Sequence, residues 1–467
     1  MKKQNRRQAL KNMLLGAGAL PLMASPLNSW ASPEFKVKDL AIRPYGNEEI
    51  EEAITAITLG AGARGNVYGN YATLFPKELD IVGVAEPIPI RNERYAQKHD
   101  IPDENRFITW EHVFERPKFA DAIIITTPDD LHYGPCMKAL EMGYDILLEK
   151  PIAPTEEECR DILELANKTG QIVAVCHVLR YAPYFIKLKE MIDSGIIGEL
   201  ISIQHMEPIQ YAHMAHSYVR GNWHNSKQTT PIILGKSCHD LDILRWMIGK
   251  PCKSIAAYGD LKWFKEANAP EGSTDRCTDG CAVESQCPYS ALKIYVRDRG
   301  WNHVFDFPDD KELHDMFLLK QLKTTNYGRC VYRMDNDQPD HYVSSMQFEE
   351  GITANFSMEA FTSYHGRRTR VMGSMGDIVG DMDEFIHTDF LTGEKTKWNI
   401  EVEDVENYKN SGHGGGDWAL VTDWINAVKN QDPNLLTSTI DASIESHLMG
   451  FMAEKSRLSD KKMAVKL

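Results

Sequence analysis

The spacing G-x-G-x-x-G occurs at Gly60-Ala61-Gly62-Ala63-Arg64-Gly65, directly after the apolar run Ile54–Leu59. That run reads as a buried strand, and the residues after the glycines, through Val67, Tyr68 and Tyr71, read as a helix. In this setting the first glycine permits a tight strand-to-helix turn, and the second lets backbone approach a pyrophosphate. The third allows close packing of helix on strand, while the helix start offers free N–H groups to phosphate oxygens. A second strand, Asp80–Ala85, ends in Glu86, whose carboxylate can accept hydrogen bonds from ribose hydroxyls. Together these features specify a dinucleotide site. Glu86 would repel a 2′-phosphate and so favours NAD; Arg91 is close enough in sequence to soften that preference and leave NADP possible.

The elements that must position these groups alternate. Strands Asp121–Thr127, Tyr144–Leu148 and Gln171–Val175 are separated by helices around Tyr133–Met142 and Thr155–Thr169. Short apolar strands divided by helices imply a parallel, doubly wound sheet. Ligands in such sheets bind outside the carboxyl ends of the strands. Those ends carry Gly60, Glu86, Thr127, Glu149-Lys150 and His177, so one cleft is lined by all of them.

Glu149-Lys150-Pro151 after a hydrophobic strand, behind the glycine motif, resembles the glucose–fructose oxidoreductase/inositol dehydrogenase (Gfo/Idh/MocA) family of sugar dehydrogenases. Thr127-Pro128-Asp129-Asp130-Leu131-His132 looks like that family's T-P-x-x-x-H turn, and Arg180-Tyr181-Ala182-Pro183 like its R-[FY]-x-P segment. Gly195-Ile196-Ile197-Gly198-Glu199 and the pair His239/Asp242 match two further motifs, so the resemblance covers essentially the whole chain after residue 31. It implies an α/β N-terminal Rossmann domain (residues 32–178) and a C-terminal α+β domain (179–467) with a mostly antiparallel sheet. Short strands at Ile201–Met206, Lys253–Tyr258, Tyr342–Phe348, Ile352–Met358, Arg370–Gly373 and Asp377–Val379 agree with that. The resemblance also implies a homo-oligomer built on this sheet.

The same resemblance assigns the site. Cofactor contacts fall to Gly60, Gly62, Ala63, Arg64, Gly65, Glu86, Arg91, Thr127, Pro128, His132, Glu149, Lys150, His177 and Arg180. Substrate contacts fall to Lys150, Tyr181, Lys236, His239 and His413. Oxidising a sugar hydroxyl needs a hydride acceptor over the C–H bond and a base on the O–H. Lys150, at a strand end beside the nicotinamide position, is the candidate base, and His239 can exchange a proton or orient the hydroxyl. The plainer readings are a lysine paired with Glu149 and a helix-capping histidine. Many members carry an Asp four residues before the histidine; here that position is Gly235, with Lys236 beside it as a possible replacement catalytic group. The loop Gly412–Asp417 precedes a helix from about Trp418 to Val428, where His413 either meets sugar hydroxyls or sits in a turn capped by Asp417.

Cys277-x3-Cys281-x5-Cys287, with Cys330 further on, lies in a polar insertion. Four thiolates fit a tetrahedral zinc site and two disulfides fit equally well, so no metal ligand is assigned. Either would be a structural staple.

The remaining sequence bounds the function. A chain of 467 residues with 42% hydrophobic and 25% charged residues is an ordinary multi-domain globular protein. Its net charge of -15 argues against nucleic-acid binding. No stretch in the remainder of the chain is an uninterrupted apolar run long enough to span a bilayer. Residues 1–31 combine Lys2, Lys3, Arg6, Arg7 and Lys11 with an apolar run from Met13 to Met23 and a cleavage site after Ala31. This is a secretory layout, and Asn5-Arg6-Arg7-Gln8-Ala9-Leu10-Lys11 resembles the twin-arginine signal, which points to the periplasm or another extracytoplasmic place. Outside the cytoplasm there is no nicotinamide pool, so the cofactor is expected to be tightly held. The leading expectation is an NAD(P)-dependent sugar or glycoside dehydrogenase. A redox-neutral NAD-dependent glycosidase of the same fold is the alternative, because Gly412–Asp417 resembles a loop of those enzymes, although their Y-R-R segment is missing. A non-catalytic nucleotide-binding protein is the third reading.

Overall fold

The computed structural model describes residues 52–400 and 411–466. The signal-like segment 1–31 and its cleavage point lie outside the described residues. Six strands form a parallel sheet: β1 (Ile54–Leu59), β2 (Leu79–Ala85), β3 (Arg106–Phe107), β4 (Ala122–Ile125), β5 (Asp145–Leu148) and β6 (Val173–Val175). Their order is β3-β2-β1-β4-β5-β6. All four residues of β4 are buried, which is why it reads as an unbroken apolar run. The chain order reverses between β1 and β4, and a crevice opens at such a switch point. Helix Glu156–Thr169 shows how locally its length is encoded. It starts at a capping box between Thr155 and Glu158 and stops at Gly170, whose φ of 78° suits glycine.

The second sheet has nine strands: β7 (Leu200–Pro208), β8 (Cys252–Asp260), β9 (His341–Phe348), β10 (Thr353–Glu359), β11 (Arg368–Gly373), β12 (Gly376–Gly380), β13 (Glu384–Asp389), β14 (Lys395–Asn399) and β15 (Met463–Ala464). The order is β14-β13-β12-β11-β7-β10-β9-β8-β15, antiparallel throughout except for the β7–β10 pair. One face packs on helices Cys238–Ile248 and Ile440–Ser459. The pairing register puts Tyr258, Val343, Val379 and Ile386 together on the opposite face, all exposed. Helix Ile440–Ser459 also packs on helix Glu156–Thr169, so it joins the two sheets. Strands β3, β13, β14 and β15 add to the elements expected from the sequence. The inward residues of β13 and β14 include Phe385, His387 and Trp398, and the rest of both strands is polar apart from the outward Ile386, too little pattern to mark an edge hairpin. Residues 261–340 form a long insertion between β8 and β9.

Candidate active site

The glycine loop has the shape its spacing predicts. Gly60 has φ +94°, and a side chain there would collide with the Thr126 carbonyl; one at Gly65 would collide with the Gly60 carbonyl. A Cβ at Gly62, by contrast, would meet nothing within 4 Å, so the middle glycine faces open space. No side chain caps the helix Ala63–Leu74 that begins there, and its first turn holds no acid. Glu86 is buried, and its Oε2 accepts from the Ala61 N–H at 2.8 Å while Oε1 accepts from the Ile88 N–H at 2.9 Å. A carboxylate has about four acceptor positions, so two remain for ribose hydroxyls. The loop and Glu86 therefore fit a dinucleotide. Arg91 is engaged differently from its cofactor assignment: its guanidinium clasps Asp306 of the insertion at 2.9–3.2 Å.

Arg64 and Glu149, also expected against the cofactor, are joined to each other instead. Arg64 Nε meets Glu149 Oε1, and Nη2 lies 2.9 Å from Asp417 Oδ1 in helix Gly416–Asn430. The Tyr68 hydroxyl donates to Glu149 Oε1 at 2.7 Å. Burial works against ionising Glu149 and Asp417, but Arg64 overcomes it and holds both carboxyls below their usual range. His413 Nδ1 closes the chain, 3.0 Å from Asp417 Oδ1. Asp417 thus lies in the first turn of its helix, not at the cap, where Gly415 stands.

Lys150 leaves β5 beside this network. Its N–H donates to Glu149 Oε2 at 3.0 Å, and its ammonium crosses the cleft to the Gly235 carbonyl at 2.8 Å. The Lys150–Pro151 bond is cis. His239, in the first turn of helix Cys238–Ile248, lies against His413 with ring centroids 5.5 Å apart and the rings tilted by 45°. Its Nδ1 is buried without a partner. Burial first, and then the positive charge of Lys150, drives the His239 pKa well below the ordinary histidine value, so the ring is neutral. Lys150, His239 and His413 are therefore brought together as expected.

Four assigned residues are not cleft contacts. His132 is buried and bridges two carbonyls, Thr127 O at 3.0 Å from Nε2 and Pro151 O at 2.7 Å from Nδ1, so it fixes the two strand-end turns on each other. His177 is fully buried, its Nδ1 2.7 Å from Asp242 and its ring stacked on His447. Arg180 forms a two-point pair with Asp242 at 2.6 and 2.7 Å and also donates to the Ala442 carbonyl at 2.9 Å. The buried Tyr181 hydroxyl meets Ser438 at 3.1 Å. The physical reason is common to His177, Arg180 and Tyr181. The H-x-x-D helix and the C-terminal helix cover the R-[FY]-x-P segment, turning a strand-end position into the interior of the protein.

Other groups escaped the sequence reading. Lys236 Nζ lies 3.3 Å from Glu207 at the end of β7, and Glu207 lies 2.9 Å from Arg367. Arg367 then pairs with Asp240 at 2.6 Å, which in turn meets His205. Asp129 is buried beside Gly235, accepting from Trp223 Nε1 at 3.0 Å and from the Thr230 hydroxyl at 2.9 Å. A carboxylate thus stands next to the place left by the absent aspartate, delivered by the Thr127–His132 turn. The signal for Asp129 was present, an acid one residue past a strand-end Thr-Pro; nothing marked Glu207 or Arg367.

Two family models match the chain in succession. Residues 54–177 match that of an oxidoreductase family's NAD-binding Rossmann fold, and residues 189–465 that of the oxidoreductase family's C-terminal alpha/beta domain. The chain belongs to the Gfo/Idh/MocA family. Its NAD-binding domain is the glycine-loop half described above. YteT of Bacillus subtilis (strain 168), an oxidoreductase by name, is 28% identical over 369 residues, 75% of this chain and 82% of that protein. The scyllo-inositol 2-dehydrogenase (NAD(+)) of the same organism is 28% identical over 214 residues, 45% of this chain and 59% of that enzyme. The fold is shared with a levoglucosan dehydrogenase solved with NADH and levoglucosan (TM-score 0.66, 15% identity, 89% of this chain and 100% of that one). It is also shared with the WlbA dehydrogenase of Chromobacterium violaceum, solved with NADH and UDP-GlcNAcA (TM-score 0.61, 14% identity, 89% and 97%).

Proposed function

We propose that this family member oxidises or reduces a ring hydroxyl of a sugar or glycoside. The observation that carries the reading is the Lys150 ammonium at the carboxyl end of β5, with His413 and the neutral His239 across from it. Residues Gly60–Gly65 and the free start of helix Ala63–Leu74 would hold the pyrophosphate, and Glu86 the ribose. NAD, when bound, supplies the hydride-accepting ring. Lys150 in its amine form takes the hydroxyl proton as the alcohol becomes a ketone, and returns it in the reverse direction. The neutral His239 donates its N–H to the hydroxyl oxygen and orients it; Lys236 and His413 bind neighbouring hydroxyls. The inositol and levoglucosan dehydrogenases among the similar proteins support a polyhydroxylated ring as substrate.

The glycosidase reading keeps one supporting observation, the Gly412–Asp417 loop seated with His413 against His239. Turnover of methyl and aryl glycosides in D2O, followed by NMR of products and by absorbance of reduced cofactor, separates the two. A keto-sugar with its glycosidic bond intact is the expected product. Released sugar carrying deuterium beside the oxidised carbon, with no net reduction, would replace the dehydrogenase by the glycosidase.

Two exposed apolar pairs on this face, Tyr258 with Val343 and Val379 with Ile386, support assembly of the protein through this sheet. Light scattering should give a multiple of the chain mass, and Tyr258→Lys with Val343→Lys should reduce it to one chain. The signal-like N-terminus supports export with the cofactor already in place, which periplasmic fractionation tests.

A further inference from the structure

The cysteine motif of the insertion takes no part in the chemistry above. Cys277, Cys281, Cys287 and Cys330 are free and line one cavity of about 20 Å³, room for a single atom-sized guest. Arg220 lines the same cavity and is 1% exposed. Its Nε donates to the Arg329 carbonyl and its Nη2 to the Tyr289 carbonyl, both at 2.7 Å, and Nη2 lies 3.8 Å from Cys277 Sγ. Nη1 is buried without a hydrogen-bond partner. Backbone donors also converge on sulfur. The Ala291 N–H reaches Cys277 Sγ at 3.3 Å, and the backbone at Tyr289 and Tyr332 is hydrogen-bonded to Cys287 and Cys330, two residues back in each case.

A buried guanidinium with an idle N–H, and main-chain donors on three sulfurs, suit negatively charged sulfur. Disulfide sulfurs carry no charge and gain nothing from either. We propose that Cys277, Cys281, Cys287 and Cys330 bind one zinc-class divalent ion as four thiolates, with Arg220 offsetting part of the resulting charge. Binding releases the four thiol protons, and no electron moves. The cavity is too small for an eight-atom iron–sulfur cube. Among the described residues no three His, Cys, Asp or Glu side chains are already gathered on a common point. The ion would close its sphere by drawing the four sulfurs inward to Zn–S distances of about 2.3 Å. Its role is structural. It pins the insertion that carries Trp301 onto the rings of His213 and His216 and sets Asp306 on Arg91.

The test uses the whole purified protein. Elemental analysis should find one zinc per chain. A thiol-specific reagent in the presence of a chromogenic chelator should release that zinc together with four newly reactive thiols. Cobalt substitution should add sulfur-to-cobalt charge-transfer absorption, and Cys287→Ser should abolish it. Should Cys287→Ser fail to fold, Arg220→Met keeps all four thiols and is expected to lose zinc to a chelator at least tenfold faster. Four reactive thiols with no bound metal, an intact mass showing two disulfides, or iron-cluster absorption would each overturn the proposal.

Discussion

Two chains of charge flank Lys150, and they end differently. On the cofactor side Arg64 lies between Glu149 and Asp417, and His413 terminates the series; both carboxylates are buried and every strong charge has its opposite. On the other side Asp240, Arg367 and Glu207 are equally buried, but the last member, Lys236, is partly open to solvent and sits 3.3 Å from its partner. The first chain crosses from the Rossmann half to helix Gly416–Asn430 and spends its charge on holding Lys150 in place. The second lies within the C-terminal half and presents a cation. Closed networks position, and open-ended ones meet ligands.

Removing Lys150 should break the site most severely. Lys150→Met is expected to lower kcat/KM by about 10²–10⁴-fold while NADH still quenches protein fluorescence with unchanged affinity. Unaltered turnover would remove Lys150 as the base, whereas unchanged function in the cell without turnover would favour the non-catalytic reading.

Opening the closed chain should fall on stability. Arg64→Met leaves two buried carboxylates facing each other and should cost about 3–5 kcal/mol in urea unfolding. Opening the other chain at its exposed end should not. Lys236→Met leaves Glu207 paired with Arg367, so stability should move by less than about 1 kcal/mol.

Acid distinguishes neither chain but weakens both surroundings. Burial holds His447 and His216 down at about 3, so both are neutral when folded, whereas the unfolded chain protonates them near 6.5. Their contribution is complete above about pH 6.5 and drains as pH falls toward 3, by about 1.4 kcal/mol per unit for each. Urea midpoints at pH 8, 6 and 5 should fall in that order. The remaining expected effect is kinetic: Lys236→Met should raise KM about tenfold with kcat within a factor of about two or three. A fall in kcat alone would make Lys236 part of the proton relay instead.

The Rossmann half was legible because its signals are local. A glycine that cannot bear a side chain, an acid at a strand end and a lysine before proline each declare themselves within a few residues. The three positions sunk deepest below the cleft share a single reason. His177, Arg180 and Tyr181 do follow a strand end, but helices from residues 238–248 and 440–459 close over them, and burial by distant segments leaves no mark in the local sequence. Glu207, Arg367 and Asp240 were unreadable for the same reason, since their meaning lies in pairing across 160 residues of chain. Asp129 is marked locally by the strand-end Thr-Pro before it, but only the fold brings it beside Gly235, where the family's usual carboxylate is missing.

The clasp between Arg91 and Asp306, reinforced by Arg94 and Asp309, ties the insertion to the helix that follows Glu86. A dinucleotide lying along Glu86 would sit inside a collar rather than in an open trough. Salt screens both pairs, so NADH dissociation followed by stopped-flow fluorescence is expected to quicken as ionic strength rises.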